Sequence, residues 1–158
     1  MNILAIDIGT QCGWALGMRG GGIRGGSESF APGKHGGHGQ RWLVFRQWLT
    51  DTGRAAGEVH AVYYEDVKRH EGVLAAHAYG GFLAMLQAWC ATNRIPMHAV
   101  GVGEIKKHWT GKGNANKAAM VDEAKRRGYA PVDDNHADAL AILSFARQAE
   151  GKAEEAPF

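Results

Sequence analysis

Ala5-Ile6-Asp7-Ile8-Gly9-Thr10 closes an apolar run with an acid and turns at once on a glycine. Ahead of it, Asn2-Ile3-Leu4-Ala5-Ile6 has no helical period, and after it Gly13-Trp14-Ala15-Leu16-Gly17-Met18 is a second apolar run. The pattern predicts a strand, a tight turn and a partner strand. A carboxylate at such a strand end leaves the apolar interior and meets solvent, where it stays ionised at little cost. An aspartate there can simply start a turn. Whether Asp7 does more depends on the acids that accompany it.

The bulk composition sets the frame. A chain of 158 residues is one domain of ordinary size. With 45% hydrophobic and 22% charged residues it falls in the globular range, which argues against disorder for the body of the chain. The expected division is a single domain over 1–150 and a flexible tail over 151–158, where the sequence turns to Gly, Lys, Glu, Ala and Pro. No apolar stretch approaches the ~18 residues of a membrane span and no signal pattern opens the chain, so the expectation is a cytoplasmic protein without a membrane partner. Cys12 and Cys90 form no CxxC pair, which argues against a zinc site or a disulfide framework. The net charge of +2 decides little, but its distribution is uneven. Lys106, Lys107, His108, Lys112, Lys117, Lys125, Arg126 and Arg127 crowd one segment, while acids gather at 122–123, 133–138 and the tail. A basic stripe beside an acidic cluster suits a nucleic acid held over a metal site, and it also suits a merely solvated face.

A third strand is expected within 22–30, completing a meander, and a mobile loop over 32–39. Trp42, Phe45, Trp48 and Leu49 recur at helical spacing, which places both tryptophans on a core stripe. Val59-His60-Ala61-Val62-Tyr63-Tyr64-Glu65 reads as another strand that ends in an acid. Val73 to Ala91 reads as a long core helix, 96–100 as a last strand and 103–109 as a short helix. A glycine-rich loop, 110–117, leads into a helix capped by Asn114 or Asn116 and stopped by Gly128. The final helix starts near Asp133 or Asp134 and is apolar on most faces.

Asp7 and Glu65 are thus strand-end acids, joined by a third group in Asp133-Asp134-Asn135-His136-Ala137-Asp138. Positions 134 and 138 project from one helical face, Asn135 lies close to them, and His136 points elsewhere. Unpaired carboxylates beside a core are costly unless a positive group neutralises them. Mg²⁺ or Mn²⁺ would do so, since hard cations take oxygen ligands and keep positions for water and phosphate. Four carboxylates can hold two ions, and two ions about 3.5–4 Å apart clamp the attacking and leaving oxygens of a displacement at phosphorus. That is nuclease chemistry.

With these motifs in order, the chain resembles the RuvC-type Holliday junction resolvases of the RNase H-like superfamily over nearly its whole length. Asp7-Ile8-Gly9-Thr10 matches the opening strand and turn, Glu65 the acid closing the fourth strand, and Asp138-Ala139-Leu140 the last helix. Lys106 and Lys117 match the family lysines near the scissile phosphate. The resemblance implies an α/β, RNase H-like fold: a five-stranded mixed sheet of a three-strand antiparallel meander plus two parallel strands, flanked by helices. It implies a homodimer that nicks branched DNA, the four-way junction above all, leaving 5′-phosphate and 3′-hydroxyl ends. Asp7, Glu65, Asp134 and Asp138 would hold the ions, and Lys106 and Lys117 would act at the phosphate. Lys107, Lys112, Arg126 and Arg127 would add backbone binding, and the long helix would line the dimer contact.

Two departures from the pattern stand out. The family's fourth ligand lies three before the last Asp, where this chain has Asn135, with Asp134 one earlier and His136 one later; Asp134 is the preferred choice. The family's aromatic wedge after the strand-end Glu is replaced by Asp66-Val67-Lys68-Arg69-His70, so that Arg69 or His70 would meet the crossover. Short length and these variations look more like a phage or prophage branch. Two other classes remain: an actin-like phosphotransferase or ATPase, in which an Asp-x-Gly-Thr turn also cradles phosphate, and a non-catalytic junction-binding protein. The former ordinarily duplicates this domain and needs a second phosphate loop, for which 158 residues leave no room.

Overall fold

Alternation along the first strand builds the molecule around it. In β1 (Ile3–Asp7), Leu4 and Ile6 face one layer of the core, while Ile3 and Ala5 face the other. A strand buried on both faces belongs in the middle of a sheet. The structure, a computed structural model describing residues 1–155, places it there: the five strands lie in the order β3-β2-β1-β4-β5. β2 (Gln11–Gly17) and β3 (Ile23–Ser29) complete an antiparallel meander, and β4 (Ala61–Asp66) and β5 (Met97–Gly101) pair in parallel. This is the mixed sheet expected from the sequence.

Helices cover both faces. On the first lie α1 (His38–Ala56) and α2 (Val73–Asn93), which bury Phe45, Leu49, Phe82 and Leu86 against Leu4, Ile6, Leu16 and Val62. On the second lie α3 (Val102–Thr110), α4 (Lys117–Arg126) and α5 (Asp134–Glu155), with Ile105, Trp109, Met120, Leu140 and Ile142 packed on Ile3, Ala5 and Tyr63. The tryptophans of α1 are core residues: Trp42 packs edge-on to Phe82 at 4.7 Å, and Trp48 to Trp14 at 5.6 Å.

Three differences from the sequence reading have physical causes. α1 starts four residues before Trp42, because the polar residues 38–41 form its first turn. The flexible tail expected from 151 is helical through Glu155, since α5 continues on its own backbone hydrogen bonds after its apolar face ends; 156–158 lie outside the described residues. α2 is 21 residues without a charged side chain, long and apolar enough by length and composition to cross a membrane, contrary to the expectation from the sequence, because Ala and Gly carry much of its character. Its Tyr79, Phe82, Leu86, Trp89 and Cys90 nevertheless pack into the core.

α5 lies so close to β2 that no side chain fits between them at Gly13. A Cβ there would fall on the Asn135 carbonyl group, which is backbone and cannot swing away. Gly13→Ala should therefore cost about 1–3 kcal/mol or more in a urea unfolding curve, the range for overpacking. Gly33→Ala, where a Cβ meets nothing within 4 Å, should stay within about 0.5 kcal/mol. Equal effects at the two positions would show that the contact does not constrain the fold.

Candidate active site

The parity of β1 and β4 aims two acids at one layer. Asp7 follows Ile3 and Ala5, and Glu65 follows Ala61 and Tyr63, all of which face the α5 side. The parallel register that sets Ile6 opposite Tyr64 makes Asp7 and Glu65 neighbours at the next step. α5 presents its first turn to the same spot. Asp133 caps it, its Oδ1 accepting from the His136 backbone N–H at 2.8 Å, so Asp134 opens the helix and Asp138 follows one turn later on the same side.

The electrostatics record the convergence. Burial, then the charges of Glu65 and Asp138, hold the Asp7 carboxyl well above the usual range, with a further push from Asp134. Burial also raises Glu65, opposed by the hydrogen bond from Asp7 and by the nearby Lys106. The direction that follows is a proton kept on Asp7 and donated to the Glu65 carboxylate. Burial, Glu65 and Asp134 push Asp138 up to about 7, while Lys106 and Lys117 act the other way. Lys117 Nζ lies 3.4 Å from Asp134 Oδ2, with the lysine 86% exposed and the aspartate 34%.

The structure thus brings together Asp7, Glu65, Asp134, Asp138, Lys106 and Lys117. His136 goes the other way: its Nδ1 accepts from the Val132 backbone N–H at 3.1 Å, and its Nε2 faces β3, 2.6 Å from where a Cβ of Gly25 would stand. Asn135 turns its carbonyl onto Gly13. Lys107 and Lys112 are exposed on α3 and the loop after it. Arg126 and Arg127 both pair with Glu123, and Arg127 also stacks over Trp109 at 3.9 Å. Exposed Arg69 joins Glu65, Asp66, Val67, Lys68 and Val102 around a shallow depression of about 540 Å³. His70 rests on the Tyr79 ring at 4.9 Å.

Two contributors escaped the sequence reading. Asp66 stands directly after Glu65 in the same depression, and its adjacency was the available signal. Tyr79 of α2 donates its hydroxyl to the Glu65 carbonyl at 2.8 Å and accepts from the Val67 N–H at 3.2 Å, fixing the strand end. A tyrosine inside an apolar helix carries no sequence mark of that role.

The donor set is all carboxylate oxygen, which fits a hard divalent cation. Among the described residues, however, no three His, Cys, Asp or Glu side chains form a closed metal cage. The Asp7–Glu65 hydrogen bond and the Lys117–Asp134 contact offset part of the charge of these acids.

The mixed five-stranded sheet with helices on both faces is an RNase H-like fold, and solved structures share it. A Thermus thermophilus RuvC in complex with Holliday junction substrate superimposes with a TM-score of 0.72 at 21% identity, covering 94% of this chain and 96% of that one. A second T. thermophilus RuvC structure gives 0.70 at 21% identity, covering 94% and 97%. The yeast mitochondrial Holliday junction resolvase Ydc2 gives 0.57 at 13% identity, covering 90% and 75%. The resemblance read from the motifs therefore extends to the whole fold. No protein-family model matches the chain, and no curated protein matches it by sequence.

The raised acid values have a testable consequence. A carboxyl held at about 7 in the folded chain, against an ordinary value near 3.9 unfolded, contributes stability that is present below pH ~4 and lost as pH rises through ~7. Without divalent ions, Asp138 should remove on the order of 2 kcal/mol between pH 5 and 8. The half-buried His108 and the buried His136, whose values desolvation lowers, act with the opposite sign, so Asp138→Asn, which keeps both, is the reference. Thermal unfolding at both pH values should show the parent losing stability relative to this variant, with the loss shrinking on addition of Mn²⁺. A parallel pH response in the two proteins would remove Asp138 from the cluster.

Proposed function

We propose that the chain is a divalent-metal-dependent endonuclease that resolves branched DNA, the four-way junction foremost, by paired nicks. The observation that carries the reading is the convergence of four acids and two lysines at the end of the two central parallel strands. The likeness in fold to RuvC and Ydc2 supports it. Asp7, Glu65, Asp134 and Asp138 are the residues that would hold Mg²⁺ or Mn²⁺. Two such ions would supply Lewis-acid activation of water and neutralisation of charge on the leaving oxygen.

The chain's own groups account for the rest. Asp7, whose carboxyl is held well above the usual range, would have to lose its proton to serve as an ion ligand. Lys117 exchanges its Asp134 partner for a phosphate oxygen once that acid is neutralised, and Lys106, already within the field of Glu65 and Asp138, offsets charge developing at phosphorus. Water attacks phosphorus, the bond from phosphorus to the 3′-oxygen breaks, and the ends are a 5′-phosphate and a 3′-hydroxyl. Lys107 and Lys112 add salt-dependent contacts to neighbouring phosphates, and Arg69 and His70 lie toward the crossover.

The outward side of α2 supports a homodimer. His77, Gly80, Ala84 and Ala88 are small or uncharged, exposed or nearly so, and repeat at helical spacing beside exposed Leu74. A two-fold pair would set two sites on the two equivalent strands of a junction.

Incubation of a labelled four-way junction with protein and Mg²⁺ or Mn²⁺ should give symmetric nicks, and a matched linear duplex should not. Glu65→Gln and Asp138→Asn should each lose about 10²-fold or more in single-turnover rate. Binding without cutting in either ion would favour the non-catalytic junction binder, and ATP turnover without DNA the phosphotransferase. Sedimentation should give a dimer for the parent and a monomer for Ala84→Arg; a dimer in both would place the contact elsewhere.

A further inference from the structure

Glu65 and Asp66 are consecutive acids that β4 sends to opposite layers. Glu65 shares the parity of Ala61 and Tyr63 on the α5 side, whereas Asp66 shares that of Val62 and Tyr64, which pack toward α1 and α2. The electrostatics agree. Burial raises the Tyr64 and Tyr79 hydroxyls and the charge of Asp66 pushes the same way, yet Asp66 is not among the groups that move Asp7, Glu65 or Asp138. It is an acid beside the carboxylate cluster and outside it. Among the described residues, no Lys, Arg or His nitrogen lies within ion-pair distance of it.

The residue is nonetheless held in place. Tyr79 donates its hydroxyl to the Glu65 carbonyl at 2.8 Å and accepts from the Val67 N–H at 3.2 Å, so it clamps the peptide groups on either side of Asp66. The parallel register sets Gly101 of β5 opposite. Asp66 lines the depression of about 540 Å³ together with Glu65, Val67, Val102 and the exposed Lys68 and Arg69. Since Glu65 also belongs to the carboxylate cluster, the depression opens beside the candidate active site.

The lining selects its occupant. A carboxylate accepts hydrogen bonds and donates none, so phosphate oxygens and thymine carbonyls repel it, and the donors that DNA can offer it are on the other bases. Cytosine and adenine each carry one amino group beside a ring nitrogen that accepts, while guanine sets N1–H and its N2 amino group side by side, matching the two oxygens of one carboxylate. Pairing hides those atoms in a duplex, so the base must be unpaired. Val67 and Val102 give the ring apolar contact, and Lys68 and Arg69 can neutralise the phosphates that accompany it.

We infer that the depression beside Glu65 takes one unpaired guanine next to the scissile phosphate, with the Asp66 Oδ1 and Oδ2 accepting from its N1–H and N2–H. The inference deepens the nuclease reading and rests on it for the identity of the strand. Asp66 is then a specificity residue, touching a base and no reacting atom.

The test reads single bases. Four-way junctions that differ in one base pair at each position flanking the cut are cleaved with Mg²⁺ or Mn²⁺ under single-turnover conditions, and their affinities are measured in EDTA. At one position the parent should favour guanine over thymine about tenfold or more. Hypoxanthine, which lacks the N2 amino group, should lose most of that preference there, and 7-deazaguanine, altered on the opposite edge, should keep it. Asp66→Ala should treat guanine, hypoxanthine and thymine alike. Each readout is a ratio within one protein, and the base series on the parent stands by itself, so a poorly folding variant does not obscure it. A parent that cuts all bases equally at every position overturns the subsite and leaves the nuclease reading in place. A loss with 7-deazaguanine and none with hypoxanthine, or a preference that survives Asp66→Ala, overturns it as well. If neither ion gives cutting but guanine and hypoxanthine junctions differ in affinity for the parent and not for Asp66→Ala, the subsite stands and the nuclease reading falls. Failure of the parent to bind any junction removes both.

Discussion

The contact of α5 with β2 at Gly13 is the constraint on which the site depends. Gly13 pairs across the hairpin with Asp7, and the Asn135 backbone sits on it. The helix therefore begins within one side-chain length of the strand-end acids, and Asp134 and Asp138 reach the field of Asp7 and Glu65. A larger residue at 13 would lift the start of α5 and separate the two halves of the cluster. The rest of the second layer follows the helix: the small residues Ala137, Ala139, Ala141 and Ala146 keep α5 close to the sheet along its buried length.

Close approach has an electrostatic cost that the chain does not fully offset. Four carboxylates share a partly buried region with two lysines, one of them largely exposed. The excess charge is handled by keeping a proton between Asp7 and Glu65 and by raising Asp138, both consequences of desolvation more than of any single neighbour. A structural cluster would be expected to bring its counter-ions with it, as Glu123 does with Arg126 and Arg127, whose contacts hold that acid down at about 2. The contrast between the two acidic sites of the same layer separates an acid neutralised by its own cations from acids whose values are set by burial and by one another.

Much of this was legible in the sequence because it rests on periodicity. The apolar runs that close on Asp7 and on Glu65 state both the strands and their ends, and acids four apart on a helix state a shared face. The choice among Asp134, Asn135 and His136 was not legible, because it depends on where the helix begins. One residue of shift would rotate a different side chain toward the sheet, and Asp133, by capping, fixes that register. The partners of Arg126 and Arg127 were hidden for a similar reason: a basic run looks alike whether its charges face solvent or fold back on one glutamate. The burial of Arg41, whose Nη2 donates to Thr10 Oγ1, gave no signal either, since an arginine at the start of an amphipathic helix ordinarily faces water.

The sheet holds the two helix layers apart. Its five strands separate the aromatic packing of α1 and α2 from the alanine-rich packing of α5, and alternation along β1 sends neighbouring side chains to opposite layers. At the end of β1 that separation stops. Asp7 continues the parity of the α5 layer, while the turn that follows carries Thr10 to Arg41 in the α1 layer. Neither layer alone could arrange this, because a helix on one face cannot reach past the sheet to the other.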